Sequence, residues 1–229
     1  MENNFRPDNV SENKDITVLF DLDGVLLDTE GLYTEFWNKI GHDYLNMPDI
    51  GPKIKGQSLT QIINDYFVGR PDVQSMINDK LYEFEYLMDY NYVPGAEEFL
   101  KQLKEHNIPT AVVTSSNRVK MNHVYRKRPE FKDYFTEIFT SETFTRSKPA
   151  PDCYLMAMDA LGATPGSTVI FEDSFSGLQA ADAAGGIVVG LATTNPREAI
   201  EDKAALVIDD FTAMDVNRLM AVVQGEKED

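Results

Sequence analysis

The sequence predicts an α/β fold: a doubly wound, Rossmann-like parallel sheet with a small all-helical cap inserted after the first strand. Three observations predict it. Short apolar runs alternate with amphipathic helical patterns along most of the 229 residues. Those runs are continuous rather than alternating, which suits strands buried on both faces, as in a parallel sheet. Residues 31–92 break the alternation and offer helical patterns without a convincing strand.

The elements follow in order. Residues 16–20 form the first apolar run and lead straight into Asp21. Helical patterns cover 32–45, 59–68 and 72–90, and the chain re-enters the β/α alternation at Val93-Pro94-Gly95. Residues 97–106 place Phe99, Leu100 and Leu103 on one helix face. Residues 110–113 are the second strand. Residues 151–161 begin at a proline and stop at Gly162, the asymmetry expected of a helix. The strand 168–171, the helix 178–184 ending at Gly185 and the strand 187–190 follow, with 206–208 as a fifth candidate strand. Right-handed crossovers then wind the sheet in both directions. The expected division is a core of 15–30 plus 93–223 and a cap of 31–92. Residues 1–14 and 224–229 read as flexible tails, and the first of these has no signal-peptide pattern.

Composition narrows the function. There are 21 Lys and Arg against 38 Asp and Glu, a net charge of −17. Such acidity opposes a nucleic-acid backbone, so any phosphate site must be locally positive. The single cysteine, Cys153, excludes an internal disulfide and reads as an inert buried thiol, in keeping with a reducing, cytoplasmic setting. No apolar run approaches the ~20 residues that span a bilayer. A monomer is the expected state.

Four motifs carry chemistry, the first, second and fourth at the carboxyl end of an apolar run, where open α/β sheets bind ligands. The first is Asp21-Leu22-Asp23-Gly24. Two carboxylates so close repel unless a cation separates them, and Mg²⁺ takes oxygen ligands. Taken alone, the same residues serve equally as a polar loop with a turn glycine. The second is Thr114-Ser115-Ser116-Asn117, a hydroxyl and amide cradle for an anion, or simply a helix N-cap. The third, Ser147-Lys148-Pro149-Ala150-Pro151-Asp152, places Lys148 on a backbone that two prolines hold extended. The fourth is Phe171-Glu172-Asp173-Ser174, two acids where a strand stops, with helix-terminal charge as the alternative. In combination they supply a nucleophile, a metal site and cations around equatorial oxygens, the requirements of phosphoryl transfer.

With these motifs the chain resembles the haloacid dehalogenase superfamily of phosphotransferases. Residues Asp21 to Glu30 look like its first motif, Thr114 its second, Lys148 its third and Glu172-Asp173 its fourth. The β-phosphoglucomutase-like phosphatases are the subgroup of greatest similarity. The resemblance implies that Asp21 attacks phosphorus to form an aspartyl-phosphate. It implies that Asp23 protonates the leaving oxygen and then activates water. Thr114 and Lys148 bind the transferring group. Mg²⁺ is held by Asp21, the carbonyl of Asp23 and Asp173, with Glu172 ligating directly or through water. Ser115, Ser116 and Asn117 face the cleft, and Gln57 and Tyr33 are the cap's candidates for substrate contact.

Departures from the pattern matter as well. Tyr33 stands where the subgroup's sugar-phosphate mutases carry a His, and Leu59 where they carry an Arg. Tyrosine, with a pKa near 10, is a poor proton shuttle at neutral pH. Tyr33 either lines the cleft or packs the cap. Trp37, one turn on, is expected to pack. Lys53 and Lys55 are equally solvated lysines or partial replacements for the missing Arg. The Arg126-Lys127-Arg128 run reads as a solvated helix end. The expected activity is Mg²⁺-dependent hydrolysis of a small phosphorylated metabolite, a sugar or polyol phosphate. The alternative is a β-phosphoglucomutase-type hexose-phosphate mutase.

Overall fold

Strand-forming apolar runs and amphipathic helices alternate along the chain, and the computed structural model, which describes residues 16–225, places them as one parallel sheet with helices around it. In chain order the elements are β1 (Thr17–Phe20), α1 (Glu30–Leu45), α2 (Leu59–Tyr66), α3 (Pro71–Leu87), α4 (Ala96–Glu105) and β2 (Thr110–Val113). There follow α5 (Arg118–Lys127), β3 (Glu137–Phe139), α6 (Asp152–Leu161), β4 (Thr168–Glu172) and α7 (Phe175–Ala183). The chain closes with β5 (Ile187–Leu191), α8 (Arg197–Ile200), β6 (Leu206–Ile208) and α9 (Val216–Gln224).

The strands lie in the order β3-β2-β1-β4-β5-β6, and every pairing is parallel. The winding reverses between β1 and β4, so the crevice beyond their carboxyl ends is the natural ligand site. The two-residue period of a strand divides the core between the two faces. Val18, Phe20, Val112, Val169, Phe171 and Val189 pack on one face with Phe99 and Phe211. Leu19, Ala111, Val113, Ile170 and Val188 pack on the other with Tyr154 and Leu178. Phe20 stacks on Phe171 with centroids 5.0 Å apart and meets the edge of Phe99.

Helices α1, α2 and α3 share a separate apolar core of Trp37, Ile40, Ile50, Ile54, Ile62, Phe67, Val73, Ile77 and Leu81. Local signals set their limits. Ser58 caps α2 by accepting from Gln61 N, and Pro71 opens α3. Trp37 is buried in this cluster as expected.

The expected strands all form, with bounds shifted by at most one residue. The edge strand β3 was not anticipated, because its three residues are partly exposed and begin with Glu137. The short α8 and the C-terminal α9 were also missed. Gln224 closes α9 and Gly225 adopts the left-handed C-cap, so the helix takes the first residues of the expected C-terminal tail. Residues 1–14 and 226–229 of the expected tails lie outside the described residues.

The basic run at the end of α5 is not simply solvated. Arg126 donates to the Tyr86 carbonyl and lies 3.6 Å over the Tyr86 ring. Lys127 pairs with Asp89 at 3.1 Å, and Arg128 donates to the Tyr90 carbonyl and to Asn91 Oδ1, each at 2.9 Å. The run therefore ties α5 to the segment that leads from the helices back to the sheet.

Phe20 is wholly buried between the sheet and α4. Phe20→Ala is expected to lower the unfolding free energy by ~3–5 kcal/mol, read as a lower urea midpoint.

Candidate active site

The site begins where the β1 ladder ends. Asp21 N donates to the Phe171 carbonyl at 3.0 Å, which places the Asp21 side chain at the reversal between β1 and β4. The chain must then turn at once. Gly24 has φ +76°, and a Cβ there would lie 2.1 Å from Asp173 Oδ2. Only a residue without a side chain lets this loop pass so close to the acid that follows β4.

Lys148 joins the two strand ends. Its ammonium, 1% exposed, donates to Asp21 Oδ1 and Glu172 Oε1, both at 2.6 Å, and to the Val113 carbonyl at 3.1 Å. Three strands, β1, β2 and β4, thus contribute acceptors to one cation. The stretch around it is a turn, with Ala150 N donating to the Ser147 carbonyl, and not the extended tether expected from its prolines. The Lys148–Pro149 peptide is cis. Lys148 is held by its acceptors rather than by a stiff backbone. Burial disfavours its charge, but Asp21 and Glu172 outweigh that and hold it charged.

Glu172 is fully buried with both oxygens engaged. Oε1 also accepts from the Tyr154 hydroxyl at 2.6 Å, and Oε2 accepts from Asp173 N at 3.0 Å. Asp173 Oδ2 accepts from the Thr194 hydroxyl. Asp21, Glu172 and Asp173 bring carboxylate oxygens within 4.8 Å of one another.

Asp23 points elsewhere. Its Oδ1 accepts from the Thr29 hydroxyl and from the Lys120 ammonium, and its Oδ2 accepts from the Ser116 hydroxyl at 2.9 Å. Burial would raise its pKa, yet Lys120 together with the hydroxyls of Thr29 and Ser116 holds it below the usual range. Thr114, 1% exposed, accepts from Ser116 N at 3.0 Å. Asn117 is the N-cap of α5 and accepts from Lys120 N at 2.9 Å, so its carbonyl oxygen is committed to the helix. Ser115 donates to the Gly56 carbonyl at 3.1 Å and so touches the helical segment.

A cavity of about 160 Å³ opens between the sheet end and α1–α3. Asp21, Asp23, Thr114, Ser115, Ser116, Asn117 and Asp173 line it from the sheet side, and Tyr33 and Gln57 line it from the other. Lys148 and Glu172 lie just beneath, so the structure brings all the expected site residues to one place. Lys55 reaches the cavity and approaches Glu30 at 3.6 Å, whereas Lys53 is exposed outside it. Tyr33 does both things expected of it, facing the cavity while packing edge-on against Phe84.

Sequence reasoning passed over Lys120, Glu85, Tyr154 and Thr29. Lys120 lies three residues after Asn117, in the first helical turn beyond a strand end, and that position was its only signal. Glu85 reaches the site through tertiary packing alone.

The residues fit a divalent cation. Burial first, and the neighbouring Glu172 and Asp23 next, push Asp21 up to about 7 despite Lys148. Burial and Glu30, Glu172 and Asp21 raise Asp173 well above the carboxylate range. Glu30 also rises to about 7 through burial and Asp23. Buried carboxylates crowded in this way are relieved by a hard cation with oxygen ligands.

A family model described as haloacid dehalogenase-like hydrolase matches residues 18–191. The chain belongs to that family. Its relatives include phosphatases and a β-phosphoglucomutase. It is 30% identical to the bifunctional riboflavin kinase/FMN phosphatase of Arabidopsis thaliana, with 76% of this chain covering 48% of that protein, about half its length. It is 29% identical to a phosphorylated carbohydrates phosphatase of Thermotoga maritima, over 73% of this chain and 81% of the relative. A β-phosphoglucomutase of Bacillus subtilis is 26% identical over 78% of this chain and 84% of its own. A family IA, variant 3 hydrolase structure from Entamoeba histolytica superposes with a TM-score of 0.79. It covers 91% of this chain and 99% of that one at 23% identity, a likeness of fold.

Gly24→Ala forces a side chain into the left-handed region and onto Asp173. A stability loss of at least ~1–2 kcal/mol is expected in chemical denaturation.

Proposed function

We propose that this hydrolase acts on phosphoric monoesters as a Mg²⁺-dependent phosphatase, taking a small phosphorylated metabolite such as a sugar or polyol phosphate. The observation that carries this reading is the buried Lys148 bridge between Asp21 and Glu172, with Asp173 completing a carboxylate group at the reversal of the sheet. That arrangement presents one carboxylate beside a fixed cation and a candidate metal site, at the mouth of a cavity with hydroxyl donors.

Asp21 Oδ attacks phosphorus, the bond from phosphorus to the leaving oxygen breaks, and that oxygen takes a proton from Asp23, whose carboxylate, ionised in the free site, gains that proton as the anionic ester enters beside it. Water then attacks the aspartyl-phosphate, gives its proton to Asp23 and displaces Asp21. Lys148 and the Thr114 hydroxyl bind the transferring group through these steps. Asp21, the Asp23 carbonyl and Asp173 would hold Mg²⁺, which would supply charge neutralisation of the phosphate. With both oxygens of Glu172 engaged, its part is to fix Lys148 and the β4 turn. Helices α1–α3, residues 31–92 in the expected division, serve as a cap that excludes bulk water from the cavity.

Support for the phosphatase over the mutase comes from Tyr33. It occupies the mutase histidine position, its hydroxyl donates to Glu85 Oε1 at 2.8 Å, and burial with the Glu85 charge raises its pKa well above 10. A phenol so placed does not shuttle protons at neutral pH.

The setting proposed is a cytoplasmic monomer that does not bind nucleic acid. Among the described residues no helix is long and apolar enough to cross a membrane. Cys153 is buried and its thiol is pushed up to about 11, first by burial, which suits a reducing compartment without requiring one.

Phosphate release from a panel of sugar, polyol and nucleoside monophosphates tests the reading. Release should require Mg²⁺, stop with a chelator and vanish in Asp21→Asn with the fold intact. Isomerised product in the presence of a hexose bisphosphate, without free phosphate, would establish the mutase instead. Mg²⁺ should also raise the melting temperature of the wild type by relieving carboxylate crowding, and should not do so in Asp173→Asn. Equal shifts in both proteins would move the metal site elsewhere.

A further inference from the structure

Lys120 carries a charge where the fold does not need one. It lies in the first turn of α5, whose Met121 and Val124 already supply the face packed on the sheet. Yet Lys120 is only 3% exposed. Burying an ammonium costs several kcal/mol unless acceptors compensate. Here the compensation is specific. The ammonium donates to Asp23 Oδ1 and lies 4.3 Å over the Tyr33 ring centroid, a cation–π contact. Tyr33 is itself fixed, by its hydrogen bond to Glu85 Oε1 and by the edge of Phe84. Glu85, 6% exposed, belongs to α3, and its backbone carbonyl accepts from the Tyr90 hydroxyl at 2.8 Å. On the sheet side, the Asn117 cap fixes the start of the turn that carries Lys120.

The connection therefore runs from Asp23 through Lys120 and Tyr33 to Glu85. It crosses from the sheet to the helical segment at the cavity. Thr29 and Ser116 alone would leave the Asp23 carboxyl with two neutral donors on opposite oxygens. Lys120 adds the charged donor that distinguishes one orientation from the others.

We propose that Lys120 is a positioning residue for Asp23: seated on Tyr33, it holds the Asp23 carboxyl toward the leaving oxygen and links that orientation to the placement of α1 and α3. This rests on the reading of Asp23 as the group that protonates the leaving oxygen. Tyr33 then has a task of its own, the seat for this lysine. This role accounts for two helices outside the sheet supplying the ring and the carboxylate around a cation that faces the catalytic loop.

The test compares leaving groups. A nitrophenolate departs without protonation, whereas an alkoxide needs it, so misorientation of Asp23 slows leaving-group departure only for the second; water attack on the aspartyl-phosphate is common to both and follows the steps that kcat/KM reports. Steady-state kinetics with p-nitrophenyl phosphate and with the alkyl phosphomonoester best hydrolysed in the panel would be measured for wild type, Lys120→Met, Lys120→Arg and Asp23→Asn. For Lys120→Met, kcat/KM on the alkyl ester should fall ~10–100-fold, and kcat/KM on p-nitrophenyl phosphate should stay within about threefold. Lys120→Arg should recover most of the alkyl rate. If Lys120→Met does not fold, Lys120→Gln, which keeps polarity and most of the length, takes its place with the same expectation. Selective loss of alkyl kcat/KM in Asp23→Asn together with equal loss, or no loss, of kcat/KM on both esters in the Lys120 variants overturns the positioning role. Equal loss of kcat/KM on both esters in Asp23→Asn overturns the reading of Asp23 as the acid, and the positioning role falls with it.

Discussion

The Lys148 ammonium between Asp21 and Glu172 is the constraint on which the rest of the site depends. A lysine with 1% exposure is tolerable only because two carboxylates and the Val113 carbonyl surround it. Those acceptors come from β1, β4 and β2, neighbours in the sheet. Parallel pairing brings their carboxyl ends to the same height, and the reversal of winding leaves the space above β1 and β4 open. The charge and the topology support each other. Removing either carboxylate would leave a buried ammonium short of acceptors, a costly change.

The same compactness creates an electrostatic problem that the fold leaves partly unsolved. Asp21, Asp23, Glu30, Glu172 and Asp173 lie around one cavity, against Lys148, Lys120 and Lys55. Two lysines are committed, Lys148 to Asp21 and Glu172 and Lys120 to Asp23. The remaining crowding shows in the raised proton affinity of Asp21, Glu30 and Asp173. A hard divalent cation would relieve that excess, as the proposed phosphatase reaction requires.

Helix α5 connects the sheet to the helical segment at both of its ends. Near its start, Lys120 meets Asp23 and Tyr33. At its end, Arg126, Lys127 and Arg128 hold the segment from Tyr86 to Asn91 that returns to the sheet. The Gly56 turn provides another meeting point. Its φ is +75°, its carbonyl accepts from Ser115, and a Cβ there would lie 2.3 Å from Ser176 Oγ. The helical segment thus meets the sheet at defined points.

By itself the sequence determined five of the six strands, the helical interruption after β1, and the four motifs, three of them at strand ends. These are local properties: apolar runs of strand length, turn glycines, and polar residues placed where a run stops. Asp21, Asp23, Thr114, Lys148, Glu172 and Asp173 were legible because each immediately follows an apolar run or sits in a proline-flanked motif. Tertiary structure alone decided which carboxylate Lys148 and Lys120 would each meet, since those partners lie 127, 24 and 97 residues away in sequence. It also decided that Glu172 would be enclosed by donors, that Tyr33 would seat a cation, and that Glu85 would reach the site at all. The edge strand β3 escaped notice because an exposed edge needs little apolar sequence. Pairing between distant charges leaves no periodic trace in a chain, because it is selected by the distance and burial that packing creates.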